Sequence, residues 1–585
     1  MESNLGNNGA AGGAGENSET QKIVKRVAPP VGVNDRRDAA QYLRREIATR
    51  LIQAVWRGDL VETIDRTPFE MRPKGSEAPY RCCIYKERAI LRLRCLSALG
   101  FAVEDDDEFR PLSEYAKRAL ERTEPEPPTL TVADVACRGC VEGRYRSTNV
   151  CQGCLTRPCL VNCNFGAISV VDGKSVVDPS KCKGCGRCAS VCPYRAIVKV
   201  RVPCEEACPV AAIHKGTDGR AEIDLARCVS CGRCARACPF GAVMDRSQIV
   251  DVAQLLGEAR RRRIEAKVGN CQEGQNGQNG QNGQNGENAA EGQNGEKPQV
   301  RRLVALFAPA LVGQFSGTLE QITAALLKLG FDDAIGVAAG ADRTTVLEAE
   351  EFIERMKRGE RFMTTSCCPA YVDVAAKHAP ELMPFVSETS TPARLTAEIA
   401  KGRDPNCITV FIGPCVAKRV EASRDALLDY VLTFEELDAA FVAAKIDVST
   451  VEPRVISAPA SAEGRGFAVP GGVATAVETA AAALQTGVPE ADKISVQKIC
   501  VAGFDSVGIR KLRSFATGVC PGNLVEAMAC EGGCVGGPGT IRSATVAARE
   551  IKALVEHSQS IAERLVPATV EQNGEAEDPD AIVGG

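Results

Sequence analysis

The sequence predicts a multidomain protein of α/β and α+β class: a helical N-terminal region, a small cysteine-rich domain, and a large α/β domain with parallel sheets. Three observations predict it. The chain has 585 residues, enough for several domains around a large buried core. Of its 28 cysteines, sixteen crowd between residues 123 and 266 at two- and three-residue gaps. That is the spacing of metal ligands, not of a short secreted disulfide scaffold. After a Gly-Gln-Asn repeat, short apolar segments alternate with helical ones, the pattern of parallel strands joined by helices.

Residues 1–33 hold no apolar core and no cleavage pattern and read as a disordered tail. Arg36-Arg37 precedes no apolar segment, which speaks against an export signal. Residues 34–122 predict helices: "RDAAQYLRREIATRLIQAVWRGD" and "KERAILRLRCLSALGF" place apolar residues at helical spacing. Cys82, Cys83 and Cys95 lie here and read as buried structural thiols. The prolines of "RTEPEPPTL" then mark a boundary. Residues 123–266 form the cysteine-rich domain, 267–298 a flexible linker with nothing to bury, 299–566 the α/β domain, and 567–585 a loose tail.

Net charge is −4, which favours neither nucleic acid nor a membrane surface as partner. No run of 18 apolar residues occurs, so no membrane helix is expected. The expectation is a soluble cytoplasmic protein in a reducing compartment. Only His214, His378 and His557 offer imidazoles. Many thiols with few histidines favour iron–sulfur clusters over zinc.

Two segments repeat one another: "CKGCGRCASVCPYRAI" from Cys182 and "CVSCGRCARACPFGAV" from Cys228. Each is the C-x2-C-x2-C-x3-C-P run of bacterial ferredoxins, in which three thiolates wrap one 4Fe-4S cube and the fourth ligates its neighbour. The crossed rule pairs the first run with "CQGCLTRPCLVNCNFGAI". One cube then takes Cys151, Cys154, Cys159 and Cys192, and a second takes Cys182, Cys185, Cys188 and Cys163. Asn164 replaces the usual proline after Cys163. The Cys228 run finds only Cys204 and Cys208 in "CEEACPVAAI", and the missing pair stands upstream in "CRGC". A nested arrangement follows: Cys137, Cys140, Cys204 and Cys238 hold a third cube, and Cys228, Cys231, Cys234 and Cys208 a fourth. All sixteen cysteines are then used, in an arrangement that resembles the four-cluster ferredoxin subunits of respiratory oxidoreductases. Four clusters in a row make an electron wire, which implies a redox site downstream.

The α/β domain carries three further motifs: "TTSCCPAYV", "FIGPCVAKRVEASR" and "EAMACEGGCVGGPG". The first two each follow an apolar strand and open a helix, with Pro369 suited to a first turn. Cys368 and Cys415 are therefore expected near helix N-termini, where the dipole favours a thiolate. Glycines in the third let backbone approach a bulky group. "GRGFAVPGGVATAV" fails the dinucleotide spacing, so no nicotinamide site is expected.

Together the three motifs closely resemble the signature motifs of the iron–iron (FeFe) hydrogenases, in a branch with "GPCVAK" and "EGGCVGGPG". The resemblance covers residues 299–566 and implies a two-lobed catalytic domain that reversibly reduces protons to H2. It implies the H-cluster, a 4Fe-4S cube joined to a two-iron subsite with CO, cyanide and a bridging dithiolate. By resemblance the cube is held by Cys368, Cys415, Cys530 and Cys534, with Cys534 the bridge. Lys418 would hydrogen-bond a cyanide and Met528 would line the pocket. Cys367 would point the other way from its neighbour Cys368 and act as terminal proton relay. Glu348, Ser387 and Glu351 match the family's relay. Glu348 and Glu351 share one helix face, although a solvated acidic face with Glu350 and Glu354 is the plainer reading of that segment. Gly471 and Gly472 match a glycine pair that opens a helix. Gly413, Ala310, Tyr371 and Ala393 depart from the best-known members and bear on catalytic bias. The implied partners are a ferredoxin or flavodoxin and the H-cluster maturation proteins.

Two other functions fit parts of this pattern. A hydrogen-sensing or regulatory homologue would carry the same cofactor, but no kinase, phosphatase or PAS-like segment is visible. An iron–sulfur assembly or electron-carrier protein would lack the two-iron subsite and have no use for Cys367, Lys418 and Met528.

Overall fold

The computed structural model describes residues 39–75, 82–125, 127, 129–140, 145–273 and 301–565. The tails expected at 1–33 and 567–585, and the Gly-Gln-Asn repeat from Gly274, lie outside the described residues.

The N-terminal region is helical, with Ala39–Arg57, Ile84–Ala98 and Leu112–Glu121 as its longer elements. Its apolar faces do not form a separate core. Leu51, Ile52, Leu60 and Leu96 join the same buried cluster as the strand Leu303–Phe307. The helix Ala39–Arg57 packs along Phe434–Ala444, fastened by the buried Arg45–Asp438 pair at 3.0 Å and by Arg44–Glu435 at 2.9 Å. Of the three thiols expected to be buried here, Cys95 is, whereas Cys82 is exposed and Cys83 partly so. The latter two precede the helix Ile84–Ala98 and have no apolar face to join.

The cysteine-rich domain is made of short antiparallel pairs. Tyr145–Ser147 pairs with Ile197–Lys199 and Ile168–Val171 with Lys174–Val177, forming an outer lobe. Leu130–Val132 pairs with Val243–Asp245 and Ile213–Lys215 with Ala221–Ile223, forming an inner lobe. The helix Ile249–Glu273 follows. It corrects the boundary at 266 and the linker start at 267: the run of Arg, Glu, Ala and Lys after Leu256 has high helix propensity and keeps the helix going. Its first turns pack on Ala39–Arg57 and on Leu303–Phe307, so it joins the domains.

The large domain has two parallel sheets. One runs Asp333–Gly336, Leu303–Phe307, Ile408–Ile412, Tyr430–Leu432; the other runs Met363–Thr364, Leu524–Met528, Lys498–Ala502. Leu303–Phe307, Ile408–Ile412 and Leu524–Met528 are buried along their whole length. Sheets covered by helices on both faces produce such unbroken apolar runs. Each of the three cysteine motifs lies just beyond the carboxyl end of a strand, after Thr364, Ile412 and Met528. That is where open α/β sheets place their sites.

Candidate iron–sulfur centres and active site

Every cysteine among the described residues whose side chain is placed is a free thiol. Among the described residues no three His, Cys, Asp or Glu side chains converge tightly enough to hold a single metal ion. A zinc ion with Zn–S bonds of about 2.3 Å needs its sulfurs within about 4 Å of one another. The thiols nevertheless gather in sets close enough to act on one another. Burial pushes the Cys188 thiol up, and the neighbouring Cys182, Cys163 and Cys185 add to it. Cys234 is raised by burial and then by Cys231, Cys228 and Cys208; these four thiols line one small hollow with Leu130, Val210 and Val229. Cys204 is raised to about 11 by burial, with Cys238 contributing, and both pack with Cys137 against Val132 and Val243. Two of the crossed sets expected from the sequence are thus brought together, and of the third Cys137, Cys204 and Cys238 share one apolar cluster, which also holds Cys208, Cys228 and Cys234.

The nested set gains support from backbone geometry. In the first C-x2-C turn of each of the four segments the residue before the second cysteine is left-handed: Gly139 (φ 55°), Gly153 (63°), Gly184 (69°) and Ser230 (51°). Three residues after each crossed cysteine the backbone is left-handed again, at Gly166 (58°), Arg195 (50°), Ala211 (50°) and Gly241 (57°). A bulky or β-carbon-bearing residue adopts this only when its surroundings insist. Such turns aim amides at sulfur: Ala167, Ala196 and Ala212 donate N–H bonds to Cys163, Cys192 and Cys208 at 3.3, 3.3 and 3.2 Å. "CRGC" and "CEEACPVAAI" therefore share the turns of the complete runs. Of the outermost expected set, Cys159 is buried and Cys151 meets Ser175 Oγ at 3.4 Å. Cys140 is half-buried at the edge of the described residues.

In the large domain Cys368 caps the helix Pro369–His378, and Cys415 stands one residue before the cap of Ala417–Ala422. Cys530 and Cys534 flank Gly532 and Gly533, both left-handed at 80° and 76°. A side chain at Gly536 would meet the Glu531 carbonyl at 1.9 Å, so the loop folds tightly on itself. The four thiols face one another. Burial raises all of them, Cys415 to about 11 and Cys534 to about 12; neighbouring thiols push Cys415, Cys530 and Cys534 further, whereas backbone N–H groups and Lys418 pull Cys368 partly back. Four such thiols ionise only around a cationic core, and this donor set fits a cube. Cys534 keeps accessible surface although protein surrounds it, as a side chain lining a hollow does. Cys231 of the inner lobe also acts on Cys530, so the Cys208/Cys228/Cys231/Cys234 set is the neighbour of this centre. Lys377 Nζ donates to the Cys228 carbonyl at 2.6 Å, and Gly232 packs so closely on Pro538 that a Cβ would sit 2.8 Å from its ring.

Cys367 lies on the other side, packed with Met528, Phe467 and Val473. Burial holds its thiol well above the usual range, and the Glu348 carboxylate adds to that. Glu348 is fully buried on the helix Val337–Lys357. Its Oε1 accepts from Ser366 N at 3.1 Å and Ser366 Oγ at 3.3 Å, while Oε2 has no hydrogen-bond partner among the described residues. Burial raises its pKa to about 7, with nearby Glu351 pushing the same way and Ser366 and Ser387 pulling it down slightly. Ser387 Oγ donates to Glu351 Oε2 at 2.6 Å. Burial pushes Glu351 up, but bonds from Ser387, Glu388 N–H and Thr389, with Arg355 at 2.7 Å, outweigh it and hold the carboxyl below its usual value. Glu351, Ser387 and Glu348 are therefore contiguous, and the plainer reading of a solvated acidic face does not hold for Glu348.

Lys418 is buried and 2.6 Å from Glu421, an ion pair without the direction of a hydrogen bond, so its ammonium keeps unused donors among the described residues. Burial works against its charge, but Glu421 and the thiols of Cys415 and Cys367 outweigh that and hold its pKa above the usual lysine value. Gly413 precedes this motif; a side chain there would strike the Phe411 ring at 2.3 Å. Gly471, left-handed at 84°, caps the helix Gly472–Leu484. The sequence reading missed Glu526. It is buried in Leu524–Met528, accepts from Gly471 N and Ala474 N at 2.7 and 2.9 Å, and acts on Cys367. A lone carboxylate inside the apolar strand "LVEAM" was the available signal.

Residues 301–538 match the family model described as iron only hydrogenase large subunit, C-terminal domain. Residues 175–198 match a 4Fe-4S binding domain and 198–249 the LdpA Fe-S cluster-binding domain. Iron hydrogenase 1 of Clostridium pasteurianum is 31% identical over 259 residues, 37% of this chain and 45% of that protein. The periplasmic [Fe] hydrogenase large subunit of Nitratidesulfovibrio vulgaris is 31% identical over 264 residues, 38% and 63% respectively. The cytosolic Fe-S cluster assembly factor narfl of Xenopus tropicalis is 24% identical over 291 residues, 41% and 60%. The chain spans less than two-thirds of these curated relatives. A solved [FeFe]-hydrogenase, HydA1 from Chlamydomonas reinhardtii, aligns at 21% identity over 46% of this chain and 89% of its own, with a TM-score of 0.37. Among the described residues no helix is long and apolar enough to cross a membrane.

Proposed function

We propose that this chain is an FeFe hydrogenase that interconverts protons, electrons and H2. Cys368, Cys415, Cys530 and Cys534 would hold the cube of an H-cluster, with Cys534 the bridge to its two-iron subsite. When bound, that cofactor supplies the redox-active iron and the base at which the H–H bond is made or broken. The chain's own residues do the rest. Lys418 presents an ammonium with unused donors to an anionic ligand, a charge-assisted contact. Met528 and Phe467 keep water from the Cys367 side. Cys367 holds the last proton at Sγ, Glu348 exchanges it near neutral pH, and Ser387 hands it to Glu351, which Arg355 positions toward solvent. The wire runs from the outer lobe through the inner one to Cys231, beside Cys530.

The observation that carries this reading is the contiguous set of proton-bearing side chains, Cys367, Glu348, Ser387 and Glu351, next to four convergent thiols. An iron–sulfur assembly role is the second reading, favoured by the match to narfl. Such a protein needs the cube but not Cys367 or an underused buried Lys418. Infrared spectroscopy of protein matured with the H-cluster assembly machinery separates them. Bands of iron-bound CO and cyanide, with H2 release from reduced dye, are expected. Protein that loads all its cubes yet has neither bands nor turnover would overturn the hydrogenase reading.

A further inference from the structure

Seven of the 28 cysteines stand outside the sixteen ferredoxin-type ligands, the four thiols of the large-domain cube and Cys367. Burial raises most of those that are described: Cys95 to about 12, Cys500 to about 11, and Cys407 and Cys520 in the same direction. Such thiols stay protonated and unreactive at neutral pH. Cys83 is the exception. Its thiol is lowered, first by the Lys86 N–H against the effect of burial, then by the Cys82 thiol, the Tyr85 N–H and the Lys86 ammonium. Cys83 stands at the N-cap of the helix Ile84–Ala98, and Cys82 Sγ donates to Cys83 Sγ at 3.9 Å. Cys82 is exposed, Cys83 is half-buried, and the adjacent Tyr85 is 69% exposed, so a small molecule reaches both sulfurs. The far half of the same helix holds the inner iron–sulfur lobe: Arg94 Nη2 donates to the Phe240 carbonyl at 3.3 Å and Ser97 Oγ to the Asp245 carbonyl at 2.8 Å. From Cys83 to Arg94 the helix rises about 16 Å, which sets the two thiols apart from that lobe.

We propose that Cys82 and Cys83 form a surface dithiol that undergoes reversible exchange with a low-molecular-weight disulfide of the glutathione type. The Cys83 thiolate attacks one sulfur of that disulfide, forms a mixed disulfide and expels one thiolate, which takes up a proton. Cys82 then loses its proton and attacks Cys83 Sγ. A Cys82–Cys83 bond closes and the second small thiolate leaves, to be protonated in turn. Two protein thiols have given up two electrons and two protons, and the small disulfide has become two thiols. Consecutive Cα atoms lie about 3.8 Å apart, short of the roughly 4.4–6.8 Å of an ordinary disulfide. The closed bond is therefore of the labile kind that excess thiol reopens. Oxidation falls on two thiols that hold no iron, and it is undone when the small-molecule thiol pool recovers.

The test exposes matured full-length protein to excess glutathione disulfide under anaerobic conditions near neutral pH. Samples are quenched with acid at intervals, remaining thiols are alkylated, and each cysteine is followed by peptide mass spectrometry; trypsin releases Cys82 and Cys83 together, between Arg81 and Lys86. Cys500, at about 11, carries about 100-fold less thiolate than a thiol at its ordinary 9.0, and its higher intrinsic nucleophilicity returns only about 10-fold. Cys83 should therefore react at least about 10-fold faster than Cys500. In the unaltered protein the Cys82–Cys83 peptide should end two hydrogens lighter, with the glutathione adduct only transient, and excess glutathione should restore both thiols. Cys82→Ser should halt the reaction at a lasting adduct on Cys83. The rate comparison needs no variant, so poor folding of Cys82→Ser leaves the test intact. Cys83 reacting no faster than Cys500 would overturn the proposal. So would an adduct on Cys83 that persists in the unaltered protein, because the two thiols would then not act as a pair. H2 turnover does not enter the readout, so the result stands apart from the hydrogenase reading.

Discussion

Glu348→Gln removes the one carboxyl of the proposed relay that titrates near neutrality, with little change of shape. In the folded protein its pKa stands at about 7, against a usual 4.5, chiefly because the group is buried. The gap, at about 1.4 kcal/mol per pH unit, amounts to about 3 kcal/mol. Its sign follows from proton binding. Below pH 4.5 both folded and unfolded chains hold the proton. Between 4.5 and 7 the folded chain still holds it while the unfolded chain has released it, so stability falls as pH rises. Above 7 the loss is complete. The glutamine variant lacks this slope, so its melting temperature minus that of the wild type should climb by roughly 2–5 °C from pH 5 to pH 8. Taking the difference cancels other titrating groups. Ser366 can still donate to the amide oxygen, so the comparison of slopes survives any constant offset. The assay is anaerobic thermal unfolding across that pH range, beside H2 evolution from reduced dye. Turnover should drop by about 10²- to 10⁴-fold with infrared bands unchanged. A flat difference from pH 5 to 8 together with full turnover would show that Glu348 neither titrates nor carries protons.

Cys367→Ala should keep every cluster and lose most turnover, whereas Cys368→Ala should lose or disorder the active-site cube, seen by EPR and infrared; the reverse pattern would exchange the two roles. Four ferredoxin-type cubes and a six-iron active site predict about 22 irons per chain. Replacing Cys204 by Ser should remove one cube, and a fully retained iron count would refute the nested set. Arg419, buried between Asp245 of the inner lobe and Glu436 of the large domain at 2.5 and 2.7 Å, should cost about 3–5 kcal/mol when replaced by Ala, because buried Glu436 and partly buried Asp245 both lose their cationic partner. Denaturant unfolding measures that, and a loss below about 1 kcal/mol would mean that the domains are held together elsewhere.

The cysteine array was legible in the sequence because iron–sulfur ligation is local. Two-residue gaps keep thiols close enough to serve one bound group, the three-residue gap hands the last thiol to its neighbour, and the left-handed turns at Gly139 and Ser230 repeat what the short gaps demand. The buried parallel strands were legible for a similar reason, since Leu303–Phe307 and Ile408–Ile412 must be apolar on both faces. Contacts between distant segments were not. The side chains of "LEAEEFIERM" read alike, yet Glu348 is buried against Ser366 while Glu350 is exposed. Which carboxylate loses its water depends on a loop eighteen residues away. Nor could spacing reveal that Glu526 caps the helix opened by Gly471, that the N-terminal helices share the core of the large domain, or that Cys231 faces Cys530. Sequence alone marked which thiols are candidates to bind iron. Only the tertiary structure decided which of them neighbour one another and which carboxyl is dry enough to hold a proton at neutral pH, because desolvation and through-space charge depend on what packs around a group.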